Sequence, residues 1–352
     1  MCQIPAPSYH EEQRAAFCKN WLEKNGAEGV TVDAAKNVIF PINAEGSDRL
    51  TLFAAHMDTV FPDLEPMPMR EENGRLYCPG AGDNTGSVAI LLMICKYMIH
   101  RKIVPEDGFL MVFNTREETD QTGITEVINA YKGRIKEYYM ADGLYNQVVN
   151  LPVAYQRYQI SVSAQGGHAY LNFGNPSAIQ CVAEIAHQIY ALPLPEGGKS
   201  SYNVGLVEGG SVINAIAQRA SLSVETRSER AENLERLKSA ILDIVERQRE
   251  KGIYQIEVKD IGHLPGKGNV DESHQKQIDD KMREIFGHFL EGKTIFRSGA
   301  GDGNIPSSQG VPGVGFAAYK LSGAHTREEY VELDSLENGL RTTMTIVFSC
   351  LS

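Results

Sequence analysis

Phe109-Leu110-Met111-Val112-Phe113-Asn114-Thr115-Arg116-Glu117-Glu118 is the stretch that decides the fold. Its first five residues read as a continuous apolar strand, and two adjacent carboxylates follow just past the strand's end. Neighbouring segments repeat the plan. Leu50 to Ala55 reads as a strand running straight into His56, and Tyr138 to Ala141 as a shorter one delivering Asp142. Val38 to Ile42 is a further strand, while Val88 to Ile99 is apolar nearly all round, as suits a helix buried against a sheet. Such alternation implies an α/β fold with a mostly parallel sheet flanked by helices. In sheets of this kind the working residues collect in loops beyond the carboxyl ends of the strands.

Those loops carry metal-competent side chains. His56 and Asp58 lie in His56-Met57-Asp58-Thr59, and Asp83 in Gly80-Ala81-Gly82-Asp83-Asn84-Thr85-Gly86. Glu117, Glu118 and Asp142 follow, and His325 comes last, in Ser322-Gly323-Ala324-His325-Thr326. Zinc takes about four N, O or S ligands, and a catalytic ion keeps one position open for water. Five of these residues suffice for two ions sharing one carboxylate, with Glu117 left free as a proton shuttle. Two ions roughly 3.5–4 Å apart activate water and polarise a carbonyl together. Singly, each feature is ordinary: H-x-D is a common local hydrogen-bonding arrangement, Asp-Gly pairs mark turns, and Glu-Glu suits a solvated loop. The conjunction is what points to a metal-dependent hydrolase.

The chain has 352 residues, 42% hydrophobic and 22% charged, enough for two domains with separate cores. A formal net charge of −11 argues against a nucleic-acid partner. The longest apolar run, Val88 to Ile94, falls short of the roughly 18–20 residues of a membrane span. No basic segment followed by an apolar one reads as a secretory signal. Cys2, Cys18, Cys78, Cys95, Cys181 and Cys350 are scattered, which suits buried thiols and a cytoplasmic location.

The pattern changes near residue 153. Tyr155 to Ser163 alternates as a half-exposed strand, and Ala178 to Ile189 marks a helix face. Val204 to Val207 and Leu222 to Thr226 read as strands, Leu234 to Val245 as a helix and Tyr254 to Val258 as a last strand. The order β-α-β-β-α-β is the ferredoxin-like unit. Residues 153–263 are therefore expected to form an inserted α+β domain, and residues 1–152 with 264–352 a split catalytic domain. The latter resumes with a helix near 275–289, strands near 294–296 and 314–318, and a final helix.

Taken together, these motifs resemble the M20 metallopeptidases, co-catalytic zinc exopeptidases, and most closely their tripeptidase T-type branch. The resemblance runs through H-M-D-T, G-x-G-D-N, T-R-E-E-T, A-D-G and S-G-A-H-T. It implies that His56 and Asp142 bind one zinc, Glu118 and His325 the other, and that Asp83 bridges both. Co2+ or Mn2+ would serve in place of Zn2+. Glu117 would be general base and acid, with Asp58 behind the first metal. A cis peptide would follow Asp83. In the inserted lid, His168 of Gly166-Gly167-His168-Ala169 would donate to the oxyanion, often in a partner's site. Asn214 would contact substrate, and Arg227 would hold a substrate carboxylate through its planar fork. A homodimer through the lid is implied.

The chain departs from the family pattern in three places. Arg116 stands before Glu117, where relatives often have a small or acidic residue, and residues 298–304 keep only the frame of the corresponding loop. The chain also starts as if within the family's opening segment, as though a first helix were missing. An aspartate at position 142 accompanies aminopeptidases and dipeptidases in this family, glutamate there carboxypeptidases and deacylases. The expected activity is thus cleavage of short peptides by an aminopeptidase or tripeptidase. An N-acyl-amino-acid deacylase or carboxypeptidase is the alternative, and a catalytically silent dimeric metal-binding scaffold a more remote one.

Overall fold

In the computed structural model, which describes residues 1–352, the run Phe109–Asn114 is a strand buried along its whole length. Phe109, Met111 and Phe113 enter one hydrophobic cluster, Leu110 and Val112 another. Side chains alternate across a strand. An unbroken apolar run is therefore what a sheet covered on both faces requires. Leu50–His56 lies beside it in parallel and divides its side chains between the same two clusters.

These strands belong to an eight-stranded sheet. Its order is Thr31–Val32, Val38–Ile42, Phe109–Asn114, Leu50–His56, Ile135–Tyr145, Gly313–Ala317, Gln147–Pro152 and Ile295–Gly299. The pairings around Leu50–His56 are parallel, as are those of Ile135–Tyr145 with Gly313–Ala317 and of Gln147–Pro152 with Ile295–Gly299. Helices Glu12–Lys24, Gly86–Arg101, Glu272–Phe289 and Ser335–Phe348 bury their apolar stripes on one face. Helix Thr122–Ala130 covers the other.

A second, antiparallel sheet in the same unit orders Leu321–Ser322, Tyr330–Glu332, Arg75–Tyr77 and Arg70–Glu72. Its strands are two or three residues long and rich in charge, so no periodicity announced them. The unit comprises Met1–Pro152 and Gly268–Ser352. No helix of the chain is long and apolar enough to cross a membrane.

The other unit is Val153–Lys267. Its sheet is antiparallel, ordered Ser200–Gly209, Arg219–Ser228, Ala154–Ser163 and Gln255–Leu264. Helices Ala178–Tyr190 and Ala231–Arg249 pack over Ile160, Val162, Leu222 and Val224. The chain order of these elements is ferredoxin-like. One addition is a short ladder in which Gly167–His168 pairs with Ala215–Ile216.

Candidate active site

His56 ends a buried strand, and its imidazole is 1% exposed. Its Nε2 lies 3.1 Å from Asp83 Oδ1 and 4.0 Å from Asp142 Oδ1. The Nε2 of His325 lies 3.1 Å from Asp83 Oδ2 and 3.3 Å from Glu118 Oε1. Asp83 thus turns one oxygen toward each histidine. Ligand atoms of His56, Asp83 and Glu118 lie within 4.8 Å of one another, as do those of His56, Glu117 and Asp142.

Each side chain has a local cause for its place. Asp58 is fully buried; it accepts from Ser8 Oγ at 2.7 Å and from the backbone N–H groups of Glu117 at 3.1 Å and Glu118 at 3.2 Å. The same carboxylate lies 3.4 Å from His56 Nδ1, so one group aligns a ring and fixes the turn bearing both glutamates. That turn is entered through Arg116 at φ 60°. Asp142 does not follow its strand but interrupts it. The register with the neighbouring strand jumps from Ala141↔Phe316 to Tyr145↔Ala317, and a bulge of this kind re-aims a side chain. Asp83 sits in an irregular turn and its peptide to Asn84 is cis. His325, at φ 64°, lies in the turn between two strands of the small sheet.

The electrostatics suit a cation. Burial, then repulsion from Asp83, pushes Glu118 up to about 7, although His56 and His325 oppose the shift. Asp142 is pushed up to about 6 by burial and Asp83. Burial and the charge of Asp142 raise Glu117 well above the carboxylate range. Burial works against ionising Asp83, but hydrogen bonds from His325 and His56 outweigh it and hold this carboxyl low. The hydrogen bond to Asp83 raises His325 to about 9. Glu118 Oε1 is buried without a hydrogen bond, despite the nearby His325 ring. Crowded carboxylates, two imidazole nitrogens and an orphaned buried oxygen form a donor set that fits divalent metal ions.

Sequence reading overlooked several supports. Glu329 is buried and accepts from the N–H groups of Gly80 at 2.9 Å, Gly82 at 2.7 Å and Asp83 at 2.7 Å, clamping the turn that carries Asp83. Its place four residues after His325 was the available signal. Arg14 is buried and donates to Met57 O at 2.6 Å and Ile4 O at 2.6 Å, holding the segment between His56 and Asp58 from behind. Asp302, in the glycine-rich loop, accepts from Asn114 Nδ2 at 2.5 Å, and burial raises it to about 7. A Cβ on Gly301 would stand 2.9 Å from Glu117 Oε1, so this loop walls the base.

The remaining three expected residues lie in the other unit. His168 pairs with Ala215, next to Asn214, whose carbonyl accepts from Ala169 N at 2.9 Å. One ladder therefore presents His168 and Asn214, both exposed. Arg227 gives Nε and Nη2 to Glu225 at 2.6 and 3.1 Å, and Arg157 Nε reaches the same carboxylate at 2.7 Å.

Comparison with known proteins identifies the family. The family model for "Peptidase family M20/M25/M40" matches residues 52–349. Among solved structures, a tripeptidase from Staphylococcus aureus superposes with a TM-score of 0.83 at 21% identity, covering 99% of this chain and 95% of that one. The aminopeptidase PepT from Bacillus cereus gives 0.78 at 20% identity, covering 100% and 96%. Succinyl-diaminopimelate desuccinylase from Corynebacterium glutamicum is 23% identical over 96% of this chain and 91% of its own length. Carboxypeptidase G2 from Pseudomonas sp. is 23% identical over 63% of this chain, and the match spans 54% of that enzyme. The chain belongs to peptidase family M20/M25/M40 and by that membership is a metallopeptidase.

Proposed function

We propose that this protein is a two-metal exopeptidase that removes amino-terminal residues from short peptides. The observation that carries the reading is the half-buried Glu117 carboxylate beside His56 and Asp142, on a turn held by Asp58. His56 and Asp142 would hold one ion, Glu118 and His325 the other, with Asp83 between, and Zn2+ is the ion best suited to this mixed N/O set. Bound there, two such ions would acidify a water and polarise the scissile carbonyl.

The chain's own residues supply the rest. Glu117 takes the proton of the attacking water and returns it to the departing amine. Its raised proton affinity suits both halves of that exchange. Asp58 keeps the His56 ring and the Glu117 backbone in register. His168 donates to the oxygen that gains charge. Asn214 contacts the substrate backbone, and Arg227, with Nε and Nη2 committed to Glu225, keeps its Nη1 edge for a substrate carboxylate.

We assign the inserted unit to dimer formation as well. Ser200–Gly209 is an edge strand with Leu206 and Val207 exposed, and Ile179 of the adjacent helix is also exposed. A groove lined by Ile179, Val182, Ala183, Ala186 and Val207 completes an apolar face suited to a second copy about a two-fold axis. All six cysteines are free and buried, which supports a reducing, cytoplasmic setting.

The test is a panel of free and N-acetylated di- and tripeptides, read by mass spectrometry with zinc, cobalt or manganese. An aminopeptidase cuts the free tripeptide and spares its acetylated form. The reverse preference establishes the deacylase reading, to which the desuccinylase relative lends support.

A further inference from the structure

The turn that follows His168 is closed by its own hydrogen bonds. Asn172 Oδ1 accepts from His168 N at 2.8 Å, and Asn172 N donates to His168 O at 2.9 Å. The backbone N–H groups of Tyr170 and Leu171 both point at His168 Nδ1, each at 3.3 Å. Gly167, at φ 138°, has room for no side chain, since a Cβ there would meet Asn172 Oδ1 at 2.8 Å. The turn is anchored further by Asn175 Nδ2, which donates to Gly166 O at 2.7 Å.

These bonds select a tautomer. A neutral imidazole has one donor and one acceptor nitrogen, and the partner of one nitrogen decides the role of the other. Two amide protons converge on Nδ1, so a third proton on that atom would face both of them. Nδ1 must be the acceptor, and the ring's proton sits on Nε2.

We propose that Asn172 is a positioning residue, which closes this turn so that His168 presents Nε2–H as a fixed donor. The proposal rests on the reading of His168 as an oxyanion donor. It adds which atom donates, what holds that atom and that the ring does not serve as a base through Nδ1. An oxyanion contact needs a donor already aimed when charge develops, and a ring that exchanges tautomers is correctly protonated only part of the time. Asn172 acts wholly through His168.

The experiment uses the full-length protein labelled with 15N-histidine and long-range 1H–15N correlation spectra at neutral pH. His168 is identified among the nine histidines by its absence from the spectrum of His168→Gln. The wild type is expected to show an unprotonated, hydrogen-bonded Nδ1 and a protonated Nε2. Asn172→Ala should show both tautomers, with kcat lowered about tenfold and KM within about twofold. Asn172→Asp keeps the accepting oxygen, so it should restore the single tautomer and bring kcat back to within about twofold of wild type. A proton on Nδ1 in the wild type overturns the proposal. So does an Asn172→Ala variant that keeps either the wild-type tautomer or the wild-type kcat. Wild-type turnover in His168→Gln would instead overturn the catalytic reading of His168, while the spectra still decide the tautomer by themselves.

Discussion

Replacing Glu118 by glutamine should stabilise the protein without metal and destabilise it with metal. In the metal-free protein Glu118 titrates at about 7 against an ordinary 4.5, chiefly because it is buried and secondly because Asp83 repels it. An acid raised in this way holds its proton more tightly folded than unfolded. Well below 4.5 the group is neutral in both states and costs nothing. As pH rises from there toward 7 the unfolded chain releases the proton while the folded one retains it, so stability falls. Above 7 the whole cost stands. The displacement is roughly 2.5 units, and at about 1.36 kcal/mol per unit it is worth about 3 kcal/mol. The side chain is 8% exposed, so solvent screening removes little of this.

Glutamine keeps the shape and drops the charge. Urea unfolding in a chelator should therefore find Glu118→Gln more stable than wild type at pH 8, by up to about 3 kcal/mol. Near pH 4.5 the two should nearly coincide. Comparing two proteins at each pH cancels, to first order, the other raised groups such as Asp142 and Asp302. With Zn2+ the order should invert. Wild type then gains about 4.1 kcal/mol for free metal at about a thousand times its dissociation constant, more than the roughly 3 kcal/mol by which the variant leads without metal, while the variant lacks that carboxylate. If Glu118→Gln without metal at pH 8 is no more stable than wild type, the reasoning fails: Glu118 is then not the strained, cation-seeking group described.

Three further outcomes are expected. Glu117→Ala should keep its metal content by elemental analysis and lose about 10²–10⁴-fold in kcat, whereas His325→Ala should lose metal; near-wild-type turnover in Glu117→Ala would sink the assignment of the adjacent glutamates. Glu329→Gln places an amide against three backbone N–H donors, so it should cost about 1–3 kcal/mol and weaken Zn2+ affinity by calorimetry; no change in either would remove Glu329 from the support of Asp83. Mixing Glu117→Ala with His168→Ala chains should recover about a quarter of wild-type activity if His168 serves its partner's site, since half the dimers are mixed and each holds one live site. No recovery despite exchange proved by tagged pull-down would place His168 in its own chain's site.

How far the sequence disclosed this arrangement depended on the element. The parallel core was plain because Phe109–Asn114 and Leu50–His56 are buried on both faces, which forces unbroken apolar runs that nothing else in the chain imitates. The ferredoxin-like unit was plain for the opposite reason: one sheet face is open, so Ala154–Ser163 alternates. The small antiparallel sheet left no trace, because Arg70–Glu72 and Tyr330–Glu332 are held by neighbours and not by periodicity. That gap affected the site. Strand ends were expected to deliver every candidate, yet Asp83 lies in a turn clamped by Glu329, and His325 in a turn of the small sheet. Asp142 was expected past a strand and sits in a bulge within one. Their residue types were legible, but the devices that aim them are long-range contacts that composition does not record.

Those devices explain why the site holds together at all. Asp83, Glu117, Glu118, Asp142 and Asp302 crowd around two histidines, and several are raised, first by burial and then by repulsion from neighbouring carboxylates. A chain folding for stability alone would not assemble them. It does so because their backbones are fixed by groups outside the cluster: the Glu117 and Glu118 amides by Asp58, the Asp83 turn by Glu329 and the Met57 carbonyl by Arg14. The anchors come from residues 14, 58 and 329, so the strain is set against the stability of a core to which both halves of the split unit contribute. Local rules fail where function resides, and the compensation lies elsewhere in the fold. Weakening an anchor should therefore loosen the ligand cluster before it unfolds the core, and metal affinity is the property that will register it first.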